Sequence, residues 1–365
     1  MPDQPVAAPA DRPLAGVQEP GGRHRGAAAA LRRLLTGRAV RWGFVLVAAV
    51  LGGLAVRTQW SGVRVALAHL GFVAVAGAMV AVLLAMIAAM QVWRVLLAGL
   101  GSPLPARAAA RVVFIGQLGK YVPGSIWAVL AQVELGRAYQ VPRRRSAAAT
   151  LLTMLFSLTG GLLAAVLTLP LLGGTATSGY RWAFLLAPVL LASVHPRVLN
   201  PLVRWLLRLT RRPALEQPLT LRAVAGALSW ALVSWLLYGA QIWLLAVRLG
   251  APAGRAALLA VGGFAFAWSV GFLAVFAPAG VGVREVLLVA VLGPVLGTGD
   301  ATAIALVSRL LMTVGDLAAA GLAAGLARRG RGGAAQSRTA QSRTAQSRRA
   351  QPRPAQPPPA PPGQR

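Results

Sequence analysis

VVFIGQLGKYVPGSIWAVLAQVEL, residues 112–135, is an apolar run interrupted in its middle by Gly-Lys-Tyr-Val-Pro-Gly. Lys120 within it is the only lysine of 365 residues, against 36 arginines. Gly119, Pro123 and Gly124 break the helix that the flanking residues would otherwise form, and the break carries a cation. In a bilayer, backbone freed by such a break must be satisfied by protein or must line a water-filled cavity. The stretch is therefore a candidate site.

The rest of the chain puts this stretch in a membrane. Hydrophobic residues make up 56% and charged residues 12%, with a mean hydropathy of +0.64, whereas soluble domains carry about 25% charged residues. Apolar segments fall at 42–56, 65–90, 112–135, 147–170, 182–195, 223–247, 256–297 (broken) and 301–327. Several approach the roughly 20 residues needed to cross a bilayer. The net charge of +29 does not point to nucleic acid, because most arginines stand in loops and tails beside hydrophobic segments. Positive-inside topology and attraction to anionic lipid account for that placement. The chain has no cysteine, which excludes disulfides and thiolate chemistry.

Three regions follow. Residues 1–40, rich in Pro, Ala, Gly and Arg, read as a disordered basic cytoplasmic tail without a cleavable signal. Residues 41–328 form the transmembrane domain. Residues 329–365 read as a disordered Arg/Pro-rich cytoplasmic tail, repeating every five residues from 336 as QSRTA, QSRTA, QSRRA, QPRPA and QPPPA. Within the domain, PLVRWLLRLTRR (201–212) sets Trp205, Leu206 and Leu209 against four arginines, the pattern of a short interfacial helix.

Arginine counts decide the topology. With the N-terminus in the cytoplasm and each broken segment returning to its own side, 29 arginines fall inside and 5 outside, leaving Arg284 and Arg309 within the membrane. If each broken segment crosses once instead, the loops between spans carry 6 inside and 12 outside, which reverses the usual bias. The expected fold is thus all-α, with about six full spans, two re-entrant segments and both termini cytoplasmic in the plasma membrane. The first hairpin opens from the cytoplasm. The second, around Ala277-Pro278-Ala279-Gly280-Val281-Gly282, opens from outside. Paired Gly/Pro-interrupted segments point to a transporter's binding site and make an inverted repeat a candidate.

A charge at mid-bilayer costs about 2.5–3.5 kcal/mol on the insertion scale, so Lys120, Glu134, Arg284, Glu285, Arg309 and Asp316 each need a reason. Arg309, Thr313 and Asp316 share one helical face, which should look into the bundle. The plainer account is internal neutralisation, Arg309 with Glu285 and Lys120 with Glu134. The functional account is a cationic cavity for a lipid phosphate, with Lys120, Arg284 and Arg309 binding it. Helix N-termini at the breaks (Gly119, Pro123, Gly124; Pro278, Gly280, Gly282) would add free N–H donors, and Glu134, Glu285 and Asp316 would gate or couple. Ser234, Tyr238 and Gln241, like Thr150, Thr153 and Ser157, form polar stripes suited to helix–helix hydrogen bonds. Tyr121 and Trp127 read as packing residues beside the first break. No nucleophile elbow, P-loop, HExxH or zinc spacing occurs, so no enzyme, cofactor or metal is expected.

GQLGKYVPGSIWAVLAQVELGR (116–137) and PAGVGVREVLLVAVL (278–292) resemble the lysylphosphatidylglycerol synthase transmembrane region family, flippase-like membrane domains. The resemblance covers roughly 41–328, and Arg309 and Asp316 look like the family's closing-helix pattern. It implies a lipid-handling domain that moves an anionic phospholipid or polyprenyl-linked lipid between leaflets. It does not imply aminoacyl transfer, since the large soluble domain of the lysyl-transferring members is missing after the membrane region. A second reading is a non-transporting scaffold that partners a separate cell-envelope enzyme. Membrane lipids are the expected partners in both.

Overall fold

The computed structural model describes residues 67–121, 126–172, 185–209, 218–273 and 282–350, which form helices and short connections with no strand among them. The N-terminal tail, the apolar segment 42–56 and the break residues Pro123, Gly124, Pro278 and Gly280 lie outside the described residues. Five helices are long and apolar enough to cross a membrane. They lie within α1 (Phe72–Gly99), α4 (Arg143–Thr168, prolonged by a 3-10 turn Leu169–Leu172), α7 (Leu221–Arg248), α8 (Ala253–Leu273) and α10 (Thr298–Ala350). The shorter helices are α2 (Ala106–Gln117), α3 (Ile126–Arg137), α5 (Leu186–Val194), α6 (Pro196–Leu209) and α9 (Val283–Leu296).

Two segments differ from the sequence reading. The interfacial helix begins at Pro196 rather than 201, since proline at the first helical position gives up an N–H that has no partner there anyway. It joins α5 at a 56° bend, and α5 covers nine residues of what reads as a full span. α10 runs on to Ala350, into the five-residue repeats that begin at 336. Ala, Gln and Arg are good helix formers, and the first proline after α10 begins is Pro352.

α1 and α7 pack side by side. Both have 28 residues, beginning at Phe72 and Leu221, 149 positions apart. Glycines let the two backbones approach closely: Gly77 faces Leu244, Gly226 faces Val95, and Gly99 faces Leu219 and Ala223. Numbers rise on one helix as they fall on the other, so the pair is antiparallel. Shifting both partners of Gly77–Leu244 by 149, in opposite senses, yields Gly226–Val95. α4 and α10 start at Arg143 and Thr298, 155 apart. Gly160 of α4 lies against Ala231 and Trp235 of α7, and Gly315 of α10 lies against Val82 and Met86 of α1. These contacts interchange under the same two offsets. The halves are therefore related by a pseudo-two-fold that reverses the helix direction, which is an inverted repeat.

Each half holds a hairpin between its long helices. α2 and α3, 12 residues each and so about 18 Å long, fold back on one another, with Gly116 against Gln132 and Gly119 against Ala128. A Cβ on Gly119 would come within 2.5 Å of the Ala128 backbone nitrogen, so only glycine permits this crossing. In the second half Gly263 of α8 faces Val291 of α9. α8, at 21 residues, is long enough to cross, while α9 has 14. Hairpin α2–α3 leaves from the C-terminal end of α1 and hairpin α8–α9 from that of α7. Because α1 and α7 are antiparallel, the hairpins enter from opposite ends of the bundle.

Candidate functional site

The inner ends of both hairpins meet α10. Its face Arg309–Thr313–Asp316 spans about 10 Å along the axis, and the hairpins take opposite ends of it. At one end the last turn of the first limb tightens to a 3-10 turn, Leu118–Tyr121, which carries Lys120 toward α10. Lys120 Nζ stands 2.5 Å from Asp316 Oδ2, and the Tyr121 hydroxyl donates to the same oxygen at 2.6 Å. At the other end Gly282, at φ 87°, opens α9, a conformation that favours glycine. Its N–H donates to Glu285 Oε2 at 2.7 Å, and Arg309 Nη1 donates to Glu285 Oε1 at 2.6 Å.

Arg284 lies beside this second pair and differs from the other two cations. It is 8% exposed, its guanidinium sits 4.7 Å from the ring centroid of Phe264, and its Nη2 donates to Ser308 Oγ at 3.3 Å. Gln241 Nε2 of α7 donates to the same hydroxyl at 2.8 Å. Among the described residues no carboxylate lies within ion-pair distance of Arg284. Asp316 is held by Lys120, both Glu285 oxygens are taken, and Glu134 sits elsewhere.

The predicted residues thus divide. Lys120, Arg284, Glu285, Arg309 and Asp316 converge on one cluster, with Arg284 and Asp316 buried and the other three part-exposed, as the shared face of α10 suggests. Arg309–Glu285 is the internal pair expected. Lys120 pairs with Asp316 rather than Glu134, because the 3-10 turn aims it across to α10. Glu134 lies outside the cluster, bound to Arg137 at 2.9 Å and Arg143 at 3.5 Å where α3 turns into α4. Arg137 and Arg143 there line an open cavity of about 460 Å³ with Gln140, Val141 and Pro142. The N–H of Gly282, expected to be free for a ligand, is used by Glu285.

Tyr121, Ser308 and Gln241 belong to the cluster without having been singled out for it. The adjacency of Tyr121 to Lys120 and the helical spacing of Gln241 were the available signals; Ser308 had none. The stripe residue Thr150 behaves as such stripes do, since its hydroxyl donates to Gln132 Oε1 at 2.8 Å and accepts from Trp93 Nε1 at 3.2 Å. That network fixes hairpin α2–α3 to α4 and α1. Among the described residues no group of three His, Asp or Glu side chains gathers to hold a metal.

Opposed hairpins, an inverted repeat and a charged cluster between them define a polytopic helical membrane protein with an intramembrane polar site. The family model of the lysylphosphatidylglycerol synthase TM region matches residues 40–320, and the chain belongs to that family. It is therefore a membrane protein of a lipid-related family. No curated protein matches the chain.

Proposed function

We propose that the protein binds an anionic lipid headgroup at the cluster around Arg284, Arg309 and Lys120 and passes it between leaflets of the plasma membrane. The observation that carries this reading is the convergence of two hairpins, entering from opposite ends, on one face of α10. Such a site is within reach of either leaflet when one hairpin or the other moves, the arrangement from which alternating access is built. Charged groups inside a bundle are expensive and belong to pathways more often than to packing. The protein works by binding rather than covalent chemistry, with both termini in the cytoplasm, and passes its lipid to or from a separate cell-envelope enzyme.

Purified protein in liposomes carrying fluorescent anionic phospholipid or a polyprenyl-linked lipid tests this. Leaflet exchange above that of empty vesicles, lost in Arg284→Ala, is the expected result. Headgroup binding without exchange is the result that belongs to a scaffold and overturns the translocase reading.

A further inference from the structure

Among the described residues the cluster holds three cations and two carboxylates, and its pairs leave one positive charge uncompensated. That charge is on Arg284, buried in an apolar bundle with one hydroxyl and one aromatic face as its visible partners. Removing a charge from water without an ionic partner costs several kcal/mol. Contact with a ring returns about 2 kcal/mol when desolvated, so an anionic occupant is the natural complement.

We infer that Arg284 is the headgroup anchor and that the site selects lipids presenting one negative charge there, a phosphodiester rather than a diphosphate. Lys120 and Arg309 act as fasteners of the hairpins, because each is already held by a carboxylate. A phosphodiester brings the cluster to neutrality. A diphosphate brings two or more negative charges into a region of low dielectric, where the surplus has no partner. Guanidinium also suits the ligand geometrically, since its planar fork can donate two parallel hydrogen bonds to phosphate oxygens. This inference rests on the lipid-binding reading above and names the charge class its site accepts.

The test is competition binding to the full chain by native mass spectrometry, with phosphatidylglycerol and a polyprenyl diphosphate as the two probes. Wild-type protein is expected to prefer phosphatidylglycerol. Arg284→Gln should weaken phosphatidylglycerol binding about ten- to hundredfold, the worth of a charge-assisted hydrogen bond. Asp316→Asn frees Lys120 and gives the cluster a second uncompensated charge, so preference should move toward the diphosphate. Glu285→Gln does the same through Arg309 while keeping an acceptor for the Gly282 N–H, and serves if the first variant does not fold. Lys120→Gln combined with Asp316→Asn leaves the net charge unchanged and should keep the wild-type preference. Equal or tighter diphosphate binding by wild type, or full phosphatidylglycerol affinity in Arg284→Gln, overturns the inference. Leaflet exchange without the charge preference leaves the translocase reading standing, whereas preference without exchange does the reverse.

Discussion

Lys120 is a fastener because of where Asp316 stands. The pair is unequal in exposure, with the lysine side chain 29% and the aspartate 6% accessible, so losing the lysine strands the more buried partner. Lys120→Gln is expected to destabilise by about 2 kcal/mol, below the ~3–5 kcal/mol of a fully buried pair because Lys120 is partly open to its surroundings. Adding Asp316→Asn should restore most of that loss, and thermal unfolding of the four proteins of the cycle in detergent measures the coupling. Failure of the second substitution to restore stability would show that the ion pair is not what holds the turn. The charges themselves were legible, since few ionisable groups interrupt these apolar runs. Their pairing was not. Glu134 is nearer to Lys120 along the chain, but a 3-10 turn points the lysine away from its own hairpin, and nothing in the residue types announces that turn's direction.

At the scale of elements, the hairpins were legible through their glycines, prolines and arginine asymmetry, while their depth was not. Gly119 has a second use besides ending the first limb, because the limbs cross where it has no side chain. Gly119→Val should force the limbs apart, costing about 1–3 kcal/mol as overpacking. It should also weaken lipid binding by withdrawing Lys120 and Tyr121 from Asp316. Tm and headgroup affinity measured together check this, and a wild-type Tm with wild-type affinity would count against the close crossing. Gln132 gives a control on the far limb. Gln132→Leu removes the acceptor of Thr150, and the net loss of one hydrogen bond, about 1 kcal/mol, should lower Tm without touching the charged cluster. The spans were read from apolar length, and length and hydropathy do not reveal the 56° bend between α5 and α6.

At the scale of the molecule, the inverted repeat was only hinted at by two breaks, because the halves have diverged in residue identity while keeping their contacts. The cysteine-free chain makes those contacts directly testable. The pairs Gly77→Cys with Leu244→Cys and Val95→Cys with Gly226→Cys should both cross-link on oxidation, and failure of either would contradict the antiparallel packing of α1 and α7. Single cysteines at Pro103 and Pro252, both exposed beside the mouths of the two hairpins, should react with an impermeant thiol reagent from opposite faces of the membrane. The same pseudo-two-fold bears on energetics. Were the halves identical, any conformation and its half-exchanged counterpart would have equal free energy, and an inward-facing and an outward-facing state would be populated alike. Divergence between the halves sets the bias. Under the two offsets Lys120 corresponds to Ser269 and Asp316 to Gly161, and Ser269 does lie against Gly161. A contact made by an ion pair in one half is made by a hydroxyl against a bare backbone in the other, so exchanging the halves does not return the same molecule at this seam, and the two exchanged conformations would differ in energy there.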